Sequence, residues 1–436
     1  MKARESPADA ANPLQPAGYR PRIAEGLLDD ALGAVPMVLV EGAKGCGKTW
    51  LALSRARTKM MLAEDPDALW SAQTLPHESL SSGPRPLLVD EWQRAPHVWD
   101  TARGLSDVDH GTGKFLFTGS YARADAVTRH SGAGRLMRVR LRPMSLLETG
   151  DSTGEVSLSA LMDGQSCSAL GERPSAVRLA ELICRGGWPR HPHLGTAACQ
   201  RLLVAYLDET ARVDLHVETG SVHNPVKVGR LLRALARNIA NVASQALLGR
   251  ETGADGAKLN HQTVGRYLDA LTRLFVLEDL AAWSPHMRLA SPARQSPKRH
   301  MVDPSLAVAA LGVGPERLAG DPRTLGSMFE SLAVRDLRVY GDAIDTSVFH
   351  HRDGDGGEID AVIEARDGRW MAVEVKLGAN PAMIDASAHW LRTVVQRIDT
   401  SQRGDPVRLV ILTAFGTAAH DRSDGVSVVP ISLLGP

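Results

Sequence analysis

The apolar and polar positions in the first third of the chain form short buried-type runs separated by amphipathic stretches. Three apolar runs are predicted to be strands, at residues 37–40, 86–89 and 114–118. Residues 48–58 follow the first run after a glycine-rich turn and are predicted to form a helix. Continuously apolar strands followed by helices are typical of a sheet that is covered on both faces. The pattern therefore predicts an α/β domain.

The pattern changes in the middle of the chain. Residues 151–178 are rich in Ser, Gly and Asp and have little apolar periodicity, so a long loop or insertion is predicted there. Between 176 and 283 the apolar positions recur at helical spacing, with one helix at 228–237 and a turn followed by a second helix within 259–271. Residues 275–277 are predicted to begin a strand. This order favours a winged-helix unit, which either contacts DNA or packs against the rest of the protein.

The last third of the chain returns to an α/β pattern. Residues 291–300 contain prolines and basic neighbours and are predicted to be a linker. After a helix that carries Glu330, the pattern predicts strand, strand, helix, strand and strand, in that order: 357–363, 370–376, 379–396, 407–413 and 426–430.

Composition adds limits on the class of protein. The 436 residues are too many for one core, so two or three domains are expected. Lys plus Arg and Asp plus Glu each number 50, so there is no overall basic footprint for nucleic acid. The four cysteines form no C-x-x-C pair and signal neither a zinc site nor a disulfide framework. No apolar run has the length of a membrane span or a signal-peptide core, so we expect a cytoplasmic protein without a membrane partner.

A glycine-rich stretch follows the first predicted strand. Residues 42–49 read Gly-Ala-Lys-Gly-Cys-Gly-Lys-Thr and fit G-x-x-x-x-G-K-[ST] at every fixed position. In this pattern glycines let backbone N–H groups surround phosphate oxygens, Lys48 reaches the β- and γ-phosphates, and the Thr49 hydroxyl ligates Mg²⁺. The predicted cofactors are therefore ATP and Mg²⁺. The predicted nucleotide contacts in this stretch are Gly42, Ala43, Lys44, Gly45, Cys46, Gly47, Lys48, Thr49 and Trp50.

Two acidic residues end the second predicted strand. Asp90 and Glu91 follow an apolar run, which is the form expected of a Walker B element. We predict that Asp90 holds Mg²⁺ through water and that Glu91 orients or deprotonates the attacking water. An acid at a strand end is common, and the interpretation depends on the phosphate loop earlier in the chain.

Two further groups are candidates for the same site. The third predicted strand ends in Thr118-Gly119-Ser120, and the carboxyl ends of parallel strands are where open α/β sheets bind ligands. Thr118 or Ser120 is predicted to sense the γ-phosphate, with ordinary turn chemistry as the alternative. Arg135 follows a glycine-rich stretch and is predicted to stabilise phosphoryl charge in its own subunit or a neighbour's. A solvated surface arginine is the alternative.

A second constellation lies on the strands of the last domain. Asp360 and Glu374 fall at neighbouring positions of a predicted hairpin, and strand alternation sends Glu374 and Lys376 to the same face. Two carboxylates and a lysine suit phosphodiester hydrolysis, with Asp360 and Glu374 holding Mg²⁺ and Lys376 steadying charge. This arrangement resembles the PD-(D/E)XK nuclease core, and Glu330 would match the extra acid of its first helix. A surface ion pair is the alternative.

Several motifs together resemble one family. Besides the phosphate loop, the chain contains Leu-Val-Asp-Glu (88–91), Phe-Thr-Gly-Ser (117–120), Gly-Arg (134–135), Arg-Pro-Met-Ser-Leu-Leu-Glu (142–148) and Gly-Gly-Trp-Pro (186–189). The series resembles the AAA+-related bacterial and archaeal ATPases with a C-terminal domain of unknown function. That resemblance implies an ATPase fold and activity. The loop departs from the family's usual Gly-Pro-Arg-Gln opening, and Trp50 stands where a small polar residue is usual.

These expectations combine into one organisation and one function. ATP hydrolysis would drive or gate a metal-dependent nuclease-like domain that acts on DNA or RNA. The alternative is an ATP-dependent regulatory switch whose last domain only binds a partner, and the sequence leaves homo-oligomerisation open. The predicted segments are a flexible arm (1–21), a P-loop ATPase domain (22–150), a loop or insertion (151–178), a helical lid and winged-helix-like region (179–290), a linker (291–300) and a PD-(D/E)XK nuclease-like domain (301–436).

Overall fold

The computed structural model describes residues 12–108, 111–119, 132–220, 223–253, 258–285, 296–401 and 403–436. The chain divides into two compact units, the first ending at Leu141 and the second comprising Arg142–Pro436. The second unit includes the predicted insertion, helical region and last domain, which the sequence predicts to be separate. Within the described ranges, no helix is both long enough and apolar enough to cross a membrane.

Helices and strands alternate along the first unit. Its helices are α1 (Ala24–Ala34), α2 (Lys48–Leu53), α3 (Pro66–Thr74), α4 (Pro76–Ser81) and α5 (His97–Val108). Its strands are β1 (Met37–Glu41), β2 (Thr58–Met61), β3 (Leu87–Asp90), β4 (Phe115–Gly119) and β5 (Leu136–Arg140). The structure confirms the three predicted strands as β1, β3 and β4, and it adds β2 and β5.

The five strands of the first unit form one parallel sheet in the order β2-β3-β4-β1-β5. One face packs on an aromatic core in which the rings of Trp92 and Trp99 stack 4.6 Å apart and Phe117 lies 5.4 Å from Trp99. Because the strands run in the same direction, the carboxyl ends of β1, β3 and β4 meet at one edge of the sheet. The glycine-rich loop, Asp90 and Thr118 are all at that edge.

Two segments of the first unit differ from the prediction. Helix α2 ends at Leu53 instead of residue 58, because the Arg57 N–H donates to the Pro86 carbonyl (2.8 Å) and the chain then joins the sheet as β2. The described part of the predicted arm is held in place, since Asn12 Nδ2 donates to the Leu53 carbonyl at 3.0 Å. The Tyr19 hydroxyl also donates to a carboxylate of α1, at 2.7 Å.

The second unit contains more helices than strands. Its helices are α6 (Leu146–Thr149), α7 (Leu158–Met162), α8 (Ala176–Arg185), α9 (Thr196–Glu209), α10 (Leu215–Thr219), α11 (Pro225–Arg237), α12 (Gln245–Glu251), α13 (His261–Arg273), α14 (Pro304–Leu311), α15 (Pro315–Ala319), α16 (Pro322–Ala343) and α17 (Pro381–Gln396). Its strands are β6 (Val156–Ser157), β7 (Ser168–Leu170), β8 (Thr346–Arg352), β9 (Glu358–Ala365), β10 (Trp370–Lys376), β11 (Arg408–Thr413), β12 (Ala418–Asp421), β13 (Val426–Pro430) and β14 (Leu434–Gly435).

A mixed sheet of seven strands organises the second unit, in the order β7-β12-β13-β11-β10-β9-β8. The hairpin β9–β10 is antiparallel, as predicted, whereas β10, β11 and β13 pair in parallel. Helix α17 packs on it through Leu391 and Val394, which join Val362 and Trp370 in one apolar cluster. The predicted order of strands and helix is confirmed for β9, β10, α17, β11 and β13.

The segment predicted as an insertion, 151–178, is part of the second unit's sheets. Strand β7 pairs antiparallel with β12, where Ala169 lies opposite Ala419. Strand β6 pairs in parallel with β14, where Val156 lies opposite Leu434. Strands of two and three residues are too short to show an alternating pattern, which is why the sequence indicated a loop.

The predicted linker at 291–300 is also different in the structure. Residues 286–295 lie outside the described residues. The remainder is an extended, paired segment: Lys298 lies opposite Leu280, and Met301 lies opposite Leu277, both in antiparallel bridges. This pairing follows α11, α12 and α13, an order compatible with the winged-helix interpretation, which stays a prediction.

A buried ion network crosses the second unit. The Arg335 guanidinium donates to Asp303 (2.7 Å) and to Asp336 (2.7 and 2.9 Å), and all three side chains are buried. The same carboxylates accept backbone N–H groups, Asp303 from Gly187 and Asp336 from Leu146, both at 3.0 Å. The network thus joins α14 and α16 to the two motifs at 142–148 and 186–189.

Candidate functional site

The glycine-rich loop between β1 and α2 has the backbone geometry that its sequence predicts. Gly42 has φ of 153°, and a Cβ there would lie 2.1 Å from the Leu141 carbonyl oxygen. Gly47 begins α2 in the left-handed region, with φ of 103°. A side chain at Gly42 would force the loop away from Leu141, so glycine is required by close approach as well as by φ.

Lys48 is buried at the start of α2. Its Nζ donates to the carbonyl oxygens of Gly42 and Ala43, each at 2.9 Å. The loop is also fixed from outside by Arg22, whose guanidinium donates to the Cys46 carbonyl at 2.9 Å. Sequence reasoning missed Arg22, because nothing in its local sequence connects it with a loop 24 residues later.

A chain of hydrogen bonds connects the loop with the ends of β3 and β4. The Thr49 hydroxyl donates to Asp90 Oδ1 at 2.8 Å, and the Thr118 hydroxyl donates to the same oxygen. The Thr118 oxygen also accepts the Glu91 N–H at 3.3 Å. A hydroxyl and a carboxylate at one position are the ligand types that Mg²⁺ takes in nucleotide sites, so these residues fit the predicted metal.

Glu91 lies immediately after β3 in a left-handed conformation, with φ of 53° and ψ of 47°. A non-glycine residue in this region is uncommon and marks a constrained turn. Its carboxylate accepts a hydrogen bond from Gln93 Nε2, which fixes the direction of the side chain. Gln93 is a second residue that the sequence interpretation did not include.

The other residues predicted to contact the nucleotide differ in their exposure to solvent. Ala43 and Cys46 are buried in the loop, Lys44 is half-buried, and Gly45 is exposed. Trp50 is 44% exposed on α2. Ser120 lies outside the described residues. The roles of these residues in nucleotide binding stay predictions.

Arg135 lies at the amino ends of the strands, whereas the phosphate loop lies at their carboxyl ends. The Arg135 carbonyl accepts the N–H of Met37, at the start of β1, and its guanidinium is paired with Asp107. Five strand residues separate this position from the loop, a distance of roughly 16 Å. The arginine at the carboxyl end of β5 is Arg140, which lies in register with Glu41. The geometry therefore does not support action of Arg135 on phosphate within its own subunit.

The predicted acidic hairpin brings its side chains together in the second unit. Asp360 Oδ2 accepts the Val375 N–H at 2.9 Å, which ties β9 to β10 at this point. Lys376 Nζ donates to Glu374 Oε1 at 2.5 Å, as expected for residues on the same strand face. Glu374 is buried, and no described residue donates a hydrogen bond to its Oε2.

A lysine that sequence reasoning missed occupies the middle of this cluster. Lys298 Nζ contacts Glu330 Oε1 and Glu358 Oε1 at 2.6 Å each and Asp360 Oδ1 at 3.0 Å. The side chain is only 1% exposed. Its position in an apparent linker gave no sign that it would enter an acidic site.

Burial and charge shift the pKa values of these groups in different directions. Burial raises the pKa of Glu330 to about 8 and that of Glu374 to about 7, and the neighbouring Asp360 carboxylate contributes to both shifts. Burial alone would raise the pKa of Asp360 too, but Lys298 and Lys376 bring it below its ordinary value. Among the carboxylates, Asp360 contributes most to raising the pKa of Lys298, and Glu374 contributes most to raising that of Lys376.

The predicted Mg²⁺ site at Asp360 and Glu374 does not fit this arrangement. Over the described part of the chain, no group of three or more His, Cys, Asp or Glu side chains is placed to hold a metal ion. Lys298 already contacts one Asp360 oxygen, and the Val375 N–H takes the other. The hairpin is present, but its carboxylates face an ammonium group.

Two arginines of the winged-helix-like region have acidic partners within the second unit. Arg273 Nε contacts Glu218 at 2.5 Å, and Arg237 Nε contacts Glu251 at 3.1 Å. Both arginines remain 44–45% exposed. Contact of this region with DNA stays a prediction.

One family model matches most of the first unit and the start of the second. Residues 35–150 match a family model described as an AAA domain. This match supports an AAA+-related ATPase. Together with the parallel sheet and the loop geometry, it supports ATP binding by the AAA domain.

Two later segments of the chain match families without an assigned function. Residues 177–317 match a domain of unknown function (DUF8612), and residues 325–434 match another (DUF4143). Neither description mentions a nuclease, so the predicted nuclease-like class of the last domain stays a prediction.

Two curated relatives and several solved structures are similar to the chain. Proteins of Mycobacterium tuberculosis and Mycobacterium bovis, both described as uncharacterized, are 26% identical over 368 residues, which cover 83% of this chain and 75% of theirs. The Walker-type ATPase of Pyrococcus abyssi is 12% identical with a TM-score of 0.41, covering 69% of this chain and 99% of its own. AMPPCP-bound DnaA from Aquifex aeolicus is 13% identical with a TM-score of 0.27, covering 57% and 86%.

Proposed function

We propose that the AAA domain binds and hydrolyses ATP at the edge formed by β1, β3 and β4. The observation that carries this proposal is the hydrogen-bonded chain from Thr49 through Asp90 to Thr118, beside the buried ammonium of Lys48. These groups supply the hydroxyl, carboxylate and cation that phosphoryl transfer requires at one place.

Each residue at this edge has a role that its contacts support. Lys48 would exchange the carbonyl oxygens of its own loop for phosphate oxygens of the nucleotide. Thr49 and Asp90 would hold Mg²⁺, which polarises the phosphates when bound. Thr118 would connect the γ-phosphate with both acids through its contacts to Asp90 and to the Glu91 backbone. Glu91, oriented by Gln93, would position the attacking water and accept its proton.

Replacement of Glu91 by glutamine is expected to separate hydrolysis from binding. The amide keeps an oxygen that can accept the Gln93 hydrogen bond but cannot take a proton, so turnover should fall roughly 100-fold or more. ATP affinity should stay within about twofold, because Glu91 is assigned no contact with the phosphates. Phosphate release and nucleotide titration measure the two effects, with exposed Glu64→Gln as the matched control. Wild-type turnover in Glu91→Gln would remove Glu91 from the mechanism.

For the last domain we propose the switch rather than the nuclease. The supporting observation is Lys298, whose ammonium lies among the carboxylates that would have to bind Mg²⁺. This arrangement does not support metal-dependent cleavage of a phosphodiester. ATP binding and hydrolysis would instead set the state of a domain that binds a partner, and DNA or RNA is one partner to be tested.

We expect no Mg²⁺-dependent cleavage of labelled DNA or RNA by the wild-type protein, with or without ATP. The reason is that Asp360 is already paired with Lys298 and with the Val375 N–H. The assay should include Asp360→Asn and, as a matched control in the hairpin turn, Asp367→Asn. Cleavage that disappears only in Asp360→Asn would restore the nuclease hypothesis and contradict the proposed switch.

A further inference from the structure

The carboxylate cage around Lys298 is built on a rigid backbone. Lys298 exchanges both backbone hydrogen bonds with Leu280, at 2.9 and 3.0 Å, and it also lies opposite Val242. Its ammonium has three N–H donors and meets three different carboxylates, those of Glu330, Glu358 and Asp360. Each N–H donor of the ammonium thus has a carboxylate partner, and the backbone of Lys298 pairs with Leu280 on one side and Val242 on the other.

The cage has more acidic groups than basic ones. Its carboxylates are Glu330, Glu358, Asp360 and Glu374, and its ammonium groups are Lys298 and Lys376. Glu374 is 5% exposed, and its Oε2 is a buried polar atom for which the described residues provide no hydrogen bond. The Glu374 oxygen lies among more acidic groups than basic ones. A cation would supply the partner that this buried oxygen lacks.

We propose that Lys298 is a built-in cation that excludes divalent metal ions from this cage, and that removing its ammonium opens a site for one such ion. Hard divalent cations bind carboxylate oxygens at about 2.0–2.6 Å, so an ion would need the same oxygens that Lys298 contacts. With the ammonium 2.6 Å from Glu330 and Glu358, those oxygens are taken. Without it, those oxygens would become available beside the unpartnered oxygen of Glu374, whereas in the wild-type arrangement of the described residues no group of three acidic side chains is placed to hold an ion.

The cage lies in the second unit, so exclusion of metal ions there does not depend on ATP hydrolysis by the first, but it rests on the same Lys298 contacts as the proposed switch. The proposal assigns a ligand class to the cage, a divalent metal ion, and it names the residue that prevents binding. It also distinguishes Lys298 from Lys376, which contacts Glu374 from the strand itself and is 34% exposed. Loss of Lys376 would free one carboxylate oxygen, whereas loss of Lys298 frees three.

Manganese titration of the nucleotide-free full chain tests the proposal, with free Mn²⁺ followed by electron paramagnetic resonance. The variants are Lys298→Met and the double variant Lys298→Met, Glu330→Gln, which keeps the formal charge balance of the wild-type cage. Exposed Lys258→Met is the matched control. Both cage variants are expected to gain one saturable Mn²⁺ site, at least about tenfold tighter than any in wild type. Adding Asp360→Asn should abolish that site.

Two outcomes overturn the proposal. One is a wild-type Mn²⁺ site that Asp360→Asn removes, because Lys298 would then not exclude the ion; this result does not require any lysine variant to fold. The other is a folded Lys298→Met, Glu330→Gln protein, checked by circular dichroism, that gains no site. Circular dichroism during heating adds a second readout, since Mn²⁺ should raise the unfolding temperature of the cage variants but not that of wild type or Lys258→Met.

Discussion

Replacing Lys48 with alanine is expected to abolish ATP hydrolysis and to weaken ATP binding by roughly 30- to 150-fold. The ammonium should contribute about 2–3 kcal/mol to the free energy of ATP binding through charged hydrogen bonds to phosphate. Lys48 is buried at the start of α2 and donates to the Gly42 and Ala43 carbonyls. Its ammonium group therefore already lies within the loop that would bind the phosphates. Alanine leaves the helix N-terminus as the remaining source of positive potential there.

Fluorescent-nucleotide titration and phosphate release measure these two effects of Lys48→Ala. Lys59→Ala is the matched control, because Lys59 is exposed on β2 of the same domain and should change neither quantity. Thermal unfolding separates a binding defect from a folding defect, since ATP should stabilise wild type and Lys59→Ala but not Lys48→Ala. Unaltered nucleotide affinity in Lys48→Ala would refute the assignment of the loop as the phosphate site.

The main parts of the predicted nucleotide site are local in sequence, which is why the structure has them at the predicted strand ends. The loop is one continuous motif that supplies the ammonium of Lys48 and the hydroxyl of Thr49, and Asp90 with Glu91 is another, each placed at a strand end by an apolar run. Parallel pairing then brings the strand ends to one edge without further information. Local sequence could not show hydrogen bonds from residues far along the chain, such as the one from the Arg22 guanidinium to the Cys46 carbonyl.

The structure does not support action of Arg135 on phosphate in its own subunit, and action in a neighbouring subunit stays a prediction. Strand β5 mixes apolar and charged residues, Leu-Met-Arg-Val-Arg, and was not recognised, so the end of the sheet at which Arg135 lies could not be assigned. Once β5 pairs in parallel with β1, Arg135 is at its amino end and Arg140 at its carboxyl end. Strand direction and register, rather than distance along the chain, determine which arginine is near the loop.

Lys298 shows the limit of sequence reasoning most clearly. It is 32 residues from Glu330 and 62 from Asp360, in a segment whose prolines and basic residues indicate a linker. Only the pairing of that segment with Leu280 brings the lysine into the cage. The hairpin with Asp360 and Glu374 was predictable from alternation, but the cation that changes its chemistry was not.

The motif at 142–148 is held by ion pairs and a helix cap within the second unit. Arg142, the first residue of the second unit, donates to both oxygens of Glu278, at 2.7–3.1 Å, and also to Asp342. Ser145 begins α6 with a capping box to Glu148. These contacts fix the segment that directly follows the sheet of the AAA domain onto α16.

Replacing Arg335 with methionine is expected to lower the free energy of unfolding by about 3–5 kcal/mol, the cost typical of removing one partner from a buried ion pair. Asp303 and Asp336 are both fully buried, and each would lose the cation between them. Arg323→Met, in the exposed first turn of the same helix, should change stability by no more than about 0.5 kcal/mol. Urea unfolding followed by circular dichroism compares the two variants.

A third variant separates charge from packing in this network. Arg335→Lys keeps the positive charge but not the planar fork that reaches Asp303 with one nitrogen and Asp336 with two. If charge dominates, Arg335→Lys should recover most of the stability lost in Arg335→Met; if the fork dominates, it should recover little. Because Asp303 and Asp336 also accept the backbone N–H groups of Gly187 and Leu146, we expect the fork to dominate. A lysine can approach one carboxylate closely only by leaving the other, and both are needed to hold the two motifs on α16.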